Sequence, residues 1–202
     1  MPRVSGQIDL AKSEAILEAA AEVFSSRGLT APLEDIARRA GVSKQTIYNH
    51  YGSKADLMRA MIEARVDALT APLQMAGAAD NPEAALTELG REVLRGVLSP
   101  AGASMVRLAV RGAAEFSDLA RAFYEGGPRT SRMRLAEFLE RETRAGRLAV
   151  DDPALAAEFF FGMVIGAHQL RILLNVPTEV GDARVDAIAR AAAARFMKAY
   201  AA

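Results

Sequence analysis

The sequence predicts an all-α protein of about nine helices. Apolar residues recur at helical spacing along most of the 202 residues, and alternation of the strand type is confined to residues 147–150, too short to count. Glycine and proline interrupt the pattern at helix-length intervals, at Gly28, Gly41, Pro72, Ser99-Pro100, Gly126-Gly127-Pro128, Gly146, Asp152-Pro153, Pro177 and Gly181.

The elements follow in order. Ile16, Ala20, Val23 and Phe24 lie at i, i+4, i+7 and i+8, one face of a helix over about residues 13–27. Ser13 is its candidate N-cap and Gly28 its stop. Leu33, Ile36, Ala37 and Ala40 mark a short second helix, with Pro32 suited to its first turn. Gly41 ends that helix and Ser43 can cap a third. A fourth begins near Ser53, turns Leu57, Met61, Ile62, Val66 and Leu69 inward, and ends near Pro72. Residues 74–82 read as a loop, and helical patterns resume beyond it, with Glu137, Glu140 and Glu142 expected on an outer face and an alanine-rich helix from Ala187. Residues 159–173 read as one helix with apolar side chains on every side. Phe159, Met163, Gly166 and Leu170 form one row, and Phe161, Ile165, His168 and Ile172 another. A helix apolar all round is covered all round; the covers considered are a second subunit, a ligand cavity or the core of a monomer.

Composition narrows the class. At 51% hydrophobic residues a core can form, and with no cysteine there is no disulfide framework and no thiolate chemistry. No run of about 18 apolar residues and no apolar N-terminal signal core is visible, so a soluble, cytoplasmic chain without a membrane partner is expected. Cations and acids balance at 25 each, yet residues 36–55 hold four cations (Arg38, Arg39, Lys44, Lys54) and no acid. That local imbalance suits a polyanion, although a window of this size also arises by chance.

The stretch LEDIARRAGVSKQTIYNHYG, residues 33–52, gives the balance a meaning. Two short helices meet at the corner Gly41-Val42-Ser43. Ala37 is small where they cross, Gly41 can turn the chain through a left-handed conformation, and Val42 and Ile47 are the apolar anchors. The second helix is otherwise polar, as it must be when one side touches protein and the other enters the major groove of DNA, about 12 Å wide. The pattern is a helix-turn-helix.

AILEAAAEVFSSRG followed by LEDIARRAGVSKQTIYNHYGSKADLM is similar to the DNA-binding domain of the TetR/AcrR family of transcriptional regulators, and residues 107–174, with FSDLARAFYEGGP and GRLAVDDPALAAEFF, resemble the C-terminal domain of its AefR-like subset. The resemblance implies a helix-turn-helix domain over residues 1–55, a linking fourth helix, and a helical effector-binding and dimerisation domain over 56–202. It implies a homodimer on a near-palindromic double-stranded operator, most commonly a repressor released by a small molecule, with activation as the alternative. It places base contacts at Lys44, Gln45, Thr46 and Asn49, and phosphate contacts at Tyr48, His50 and Lys54, with Arg38 as a further candidate. Where many members carry a phosphate-reaching hydroxyl, this chain has Pro32; Thr30 is the nearest hydroxyl. Tyr51, four residues after Ile47, is expected to pack inward.

For an apolar effector the candidates are Met61, Met105, Phe116, Tyr124, Met133, Phe161 and His168, each of which can equally be core. For the dimer they are Phe159, Gly162, Met163, Gly166, Leu170, Ile188 and Phe196. No cofactor, metal or catalytic role is expected. His50 has no neighbouring ligand at metal spacing, and Gly126-Gly127-Pro128 lacks the Lys-Ser/Thr ending and preceding strand of a phosphate loop.

Overall fold

Every described segment with helical periodicity is a helix. The computed structural model describes residues 5–75, 77–78, 80–177 and 180–202, with side chains from Leu10 onward. The helices are α1 (Ser5–Arg27), α2 (Leu33–Ala40), α3 (Lys44–Tyr51), α4 (Lys54–Thr70), α5 (Pro82–Leu98), α6 (Pro100–Gly112), α7 (Ser117–Tyr124), α8 (Thr130–Arg144), α9 (Pro153–Ile165), α10 (His168–Leu173) and α11 (Asp182–Tyr200). A 3-10 turn covers Ala71–Leu73 and a π-helical turn Glu125–Arg129. Among the described residues, pairing of the strand type is one isolated bridge, Leu148 with Ala201. No single helix there is long and apolar enough to cross a membrane.

Two compact units form. The first joins the described residues of Met1–Arg65 to Ser104–Gly127, and the second joins Val66–Ala103 to Pro128–Ala202. Each has its own core. In the first, Ile16, Ala20, Phe24, Ile36, Ile47, Leu57, Met58 and Met61 pack with Met105, Leu119 and Ala122. Here the Gly126-Gly127 pair has a steric role. A Cβ on Gly126 would lie 2.8 Å from the Arg59 carbonyl oxygen, and one on Gly127 would lie 3.0 Å from Ile62, so glycine lets the turn press against α4.

In the second unit α5, α8, α9 and α11 enclose Leu86, Leu89, Leu94, Leu135, Phe138, Phe160, Val164 and Phe196. Asn81 and Asp152 cap α5 and α9 by accepting from the backbone N–H of Ala84 and Leu155, and a proline follows each cap where its missing N–H costs nothing. α5 and α11 approach closely at Gly90, where a Cβ would be 3.3 Å from that of Ala189. Phe160 and Phe196 meet edge-on, with ring centroids 5.5 Å apart. Arg91 ties α5 to Asp186 of α11.

Three expectations need correction. α1 runs back to Ser5, so Ser13 is inside the helix and its hydroxyl bonds the Tyr51 hydroxyl at 2.8 Å instead of capping. The apolar segment over 159–173 is two helices, because Gly166 (φ 49, ψ −134) takes a conformation closed to residues with a Cβ. Its rows therefore do not continue across the break. Glu142 is buried, not outward. Its carboxylate takes the Arg147 guanidinium at 2.5 Å, and its carbonyl oxygen accepts from the N–H of Arg147 and Leu148 at the helix end. The short alternation at 147–150 forms no strand, as expected; it makes one isolated bridge, Leu148 with Ala201, and the Ala149 N–H donates to the Tyr200 carbonyl oxygen at the end of α11.

The second unit should be sensitive at Gly102, where a Cβ would fall 1.9 Å from the Gly96 carbonyl oxygen, and insensitive at Gly96, where the nearest atom is 3.8 Å away. Gly102→Ala is expected to cost about 1–3 kcal/mol, and Gly96→Ala to be neutral or to gain up to about 1 kcal/mol. Thermal melts followed by circular dichroism measure both.

Candidate nucleic-acid interface

The α2–α3 corner is built from backbone conformations that its sequence selects. Gly41 takes φ 68 and ψ 28. The N–H groups of Gly41 and Val42 reach back to the carbonyls of Arg38 and Ala37 at 3.4 and 3.0 Å, the crossed pair that closes a helix through a left-handed residue. Ser43 is extended, and its Oγ accepts from the Thr46 N–H at 3.0 Å, capping α3. One α3 side chain is buried: Ile47, 1% exposed, packed in the first core. Its burial contributes about 1.5–3 kcal/mol. Tyr51 packs at the edge of that core, as expected, and Lys44, Gln45, Tyr48, Asn49 and His50 are exposed.

The exposed side chains form an ordered set. Lys44 Nζ donates to Glu34 Oε1 at 2.5 Å and lies 5.6 Å from the centre of the Tyr48 ring. The pairing holds the Glu34 carboxyl below its ordinary value and lifts the lysine above its own. Gln45 Nε2 donates to Asn49 Oδ1 at 2.8 Å, one helical turn away. Thr46 Oγ1 lies 2.8 Å from Ser43 Oγ. The His50 and Tyr51 rings are 6.1 Å apart. On α2, Arg38 bonds Asp35 at 2.7 Å and Arg39 bonds Glu22 of α1 at 2.5 Å. Arg27 shares Asp35, so the groove of about 450 Å³ between α1 and α2 has its three guanidiniums paired.

Lys54 has a role that spacing did not reveal. Its Nζ donates to the carbonyls of Leu29 and Ala31 at 2.5 and 2.6 Å and stands 5.7 Å from the Phe24 ring centre. Burial pushes its ammonium below the ordinary lysine value. It thereby fastens the start of α4 to the α1–α2 loop, which carries Thr30 and leads into Pro32.

The other candidates separate by unit. In the first, Met61 and Met105 are core, Phe116 is half-buried against it and Tyr124 is exposed. In the second, Phe161 is core, with the Arg132 guanidinium 5.5 Å from its ring, and Met133 is exposed. His168 Nδ1 is buried and has no hydrogen-bond partner among the described residues. Of the dimer candidates, Phe159 and Leu170 are 53% and 59% exposed, and Met163 lies with Ile188 along a groove of about 360 Å³ between α9 and α11. Gly162 and Gly166 are open to space, whereas Phe196, 1% exposed, has no surface to offer.

With this geometry in place, comparison with known proteins is specific. Residues 84–202 match the profile of the AefR-like transcriptional repressor C-terminal domain, and residues 16–61 match that of bacterial regulatory proteins of the tetR family. A crystal structure of a TetR-family chain from Mesorhizobium loti is 25% identical over 100% of both chains, with a TM-score of 0.77. The flavonoid-responsive regulator FrrA is 31% identical, over 94% of this chain and 97% of its own, with a TM-score of 0.70. The HTH-type transcriptional activator FasR of Mycolicibacterium smegmatis is 44% identical over 62 residues, 30% of this chain and only 28% of that relative's length.

Lys54→Met keeps the apolar stem and removes both hydrogen bonds from the ammonium. It is expected to lower stability by about 1–2 kcal/mol, and an unchanged urea midpoint would show that the tie to the Leu29 and Ala31 carbonyls contributes nothing.

Proposed function

The chain belongs to the TetR family of bacterial regulatory proteins, and on that premise we propose that it is a DNA-binding transcriptional repressor which binds a near-palindromic operator as a homodimer and is released by a small molecule. The observation that carries the reading is α3 itself, a capped helix with one buried side chain and a first turn of donors and acceptors, Lys44, Gln45 and Thr46, exposed or half-exposed to solvent. Lysine suits guanine O6 and N7, glutamine suits adenine N6 and N7, and threonine a thymine methyl or a phosphate. Asn49 continues that surface. Tyr48 and His50 reach phosphates, Arg38 flanks them, and Lys54 contributes by holding the adjacent loop.

Residues 1–55 carry DNA binding in this reading, and residues 56–202 carry dimerisation and effector binding. The α9–α11 face, with Phe159, Met163, Leu170 and Ile188, meets its two-fold mate, while Phe196 supports it from inside. The mate sets two α3 helices in successive major grooves, about 34–36 Å apart or more. In the second unit Phe161, Met133 and His168 are the effector candidates. An apolar ligand with one hydrogen-bonding group would give His168 Nδ1 the partner it lacks. A relative named for a response to flavonoids supports a ligand of that general kind. The relative named as an activator keeps activation as the second reading. Ligand and operator then oppose each other because they favour different spacings of the two recognition helices.

A gel shift with DNA from upstream of the protein's own gene is expected to show a retarded band; binding to no fragment at all would end this reading. Lys44→Ala and Gln45→Ala should each cost about 1–3 kcal/mol at particular bases, whereas His50→Ala should weaken all sites alike and flatten the salt dependence. Phe159→Asp is expected to yield a monomer by light scattering, with operator affinity lost along with the dimer.

A further inference from the structure

The geometry points to Glu34 as a specificity-determining residue that reads a G·C base pair jointly with Lys44. The inference rests on the proposal that α3 enters the major groove, and it extends the reading surface to a residue of α2. Glu34 lies in the first turn of α2, ten positions before Lys44, and its Oε1 accepts from Lys44 Nζ at 2.5 Å across the corner. Both ends of the pair face solvent, with side chains 52% and 45% exposed. A solvated ion pair of this kind adds little to stability, so its placement at the leading edge of the recognition helix calls for another account.

The donor and acceptor pattern supplies one. A lysine ammonium has three donors. One is spent on Glu34 Oε1, which leaves two for another acceptor, and Glu34 Oε2 keeps acceptor capacity. Lys44 and Glu34 side by side therefore present donors followed by an acceptor. In the major groove a G·C pair presents the guanine N7 and O6 acceptors followed by the cytosine N4 donor, which is the complement. Reversing the pair sets the Glu34 carboxylate against guanine oxygen, and an A·T pair sets it against thymine O4; both place acceptor on acceptor, while a T·A pair offers Lys44 the single acceptor O4 in place of the two of guanine. Lys44 alone favours guanine, but only the acceptor beside it registers the cytosine on the opposite strand. The Tyr48 ring, with its centre 5.6 Å from Lys44 Nζ, is a second neighbour that limits the ammonium's alternatives. The other ion pairs described around α2 are Arg38–Asp35 within the helix and Arg27–Asp35 and Arg39–Glu22 between α1 and α2, and none of the three involves α3.

The test is selection of DNA from a random duplex pool by the full-length protein, run in parallel for the wild type, Glu34→Gln and Glu34→Ala. The wild type should recover half-sites with one position at which G·C is preferred over C·G by about tenfold or more. Both variants should lower that preference several-fold, to what Lys44 alone gives, with Glu34→Ala the larger change because the glutamine amide keeps an acceptor oxygen, and should leave the other positions unchanged. A second measurement needs no variant to fold. N4-methylcytosine at that position blocks the major-groove donor and keeps the base pair, and it should weaken wild-type binding about tenfold. The proposal is overturned if the variants select the same sequences as the wild type, if they bind every sequence more tightly by one common factor, or if N4-methylation costs the wild type nothing. A wild-type protein that enriches no sequence would instead overturn the DNA-binding reading beneath it.

Discussion

Ile47 is the constraint on which the reading surface depends. A helix meant to enter the major groove has little side-chain area to spare for its own protein, and α3 spends one fully buried residue on it, in the same core as Ile36, Ala37 and the α1 residues, with Tyr51 at the edge. A single aliphatic anchor supplies only a few kcal/mol, so the orientation of α3 has to be fixed by the backbone. Gly41 provides the left-handed residue that closes α2, Ser43 caps the first turn of α3, and the Gly52 N–H closes its end on the Tyr48 carbonyl. With both ends and one side held, the remaining side chains need not pack and are free to be chosen for their donors and acceptors.

Charge is organised around the same surface. The basic window that the sequence shows between residues 36 and 55 is paired in the folded protein with acids from outside it: Glu22, Glu34 and Asp35. A phosphate chain approaching this surface competes with carboxylates already in place. Such competition weakens indiscriminate binding more than binding to a site that offers compensating base contacts. Lys54 is the exception. Its partners are main-chain carbonyls, and it couples the first turn of α4 to the loop ahead of α2, so a movement of α4 bears directly on the helix-turn-helix.

What was legible in the sequence was local. Gly41, Ser43 and Ile47 announce the corner, because a left-handed residue, a cap and an apolar anchor are each specified within four residues of where they act. The all-α class follows from apolar periodicity that persists over many turns, and the AefR-like likeness of the C-terminal half is reproduced by the family match over residues 84–202. Less legible were features set by distant parts of the chain. Ser13 looks like a cap and instead meets Tyr51, 38 residues on. Gly166 looks like a small residue within a helix and instead ends one. Glu142 has the spacing of an outer face but is drawn under by Arg147 beyond the helix end. Phe196 belongs to the row of the last helix that packs on Phe160, and periodicity alone does not tell an inner row from one that awaits a partner. The Glu34–Lys44 pair falls in the same class, since no helical repeat connects residues on opposite sides of a turn.

The central claim is that the first turn of α3 reads base edges in the major groove. Methylation interference at guanine N7, which lies in that groove, tests it directly on any fragment the protein retards. The account predicts two clusters of interfering guanines about one helical turn apart, related by two-fold symmetry, each abolished as an interference signal by Lys44→Ala. Binding that survives N7 methylation throughout, or that is blocked only by methylation at adenine N3 in the minor groove, would contradict it.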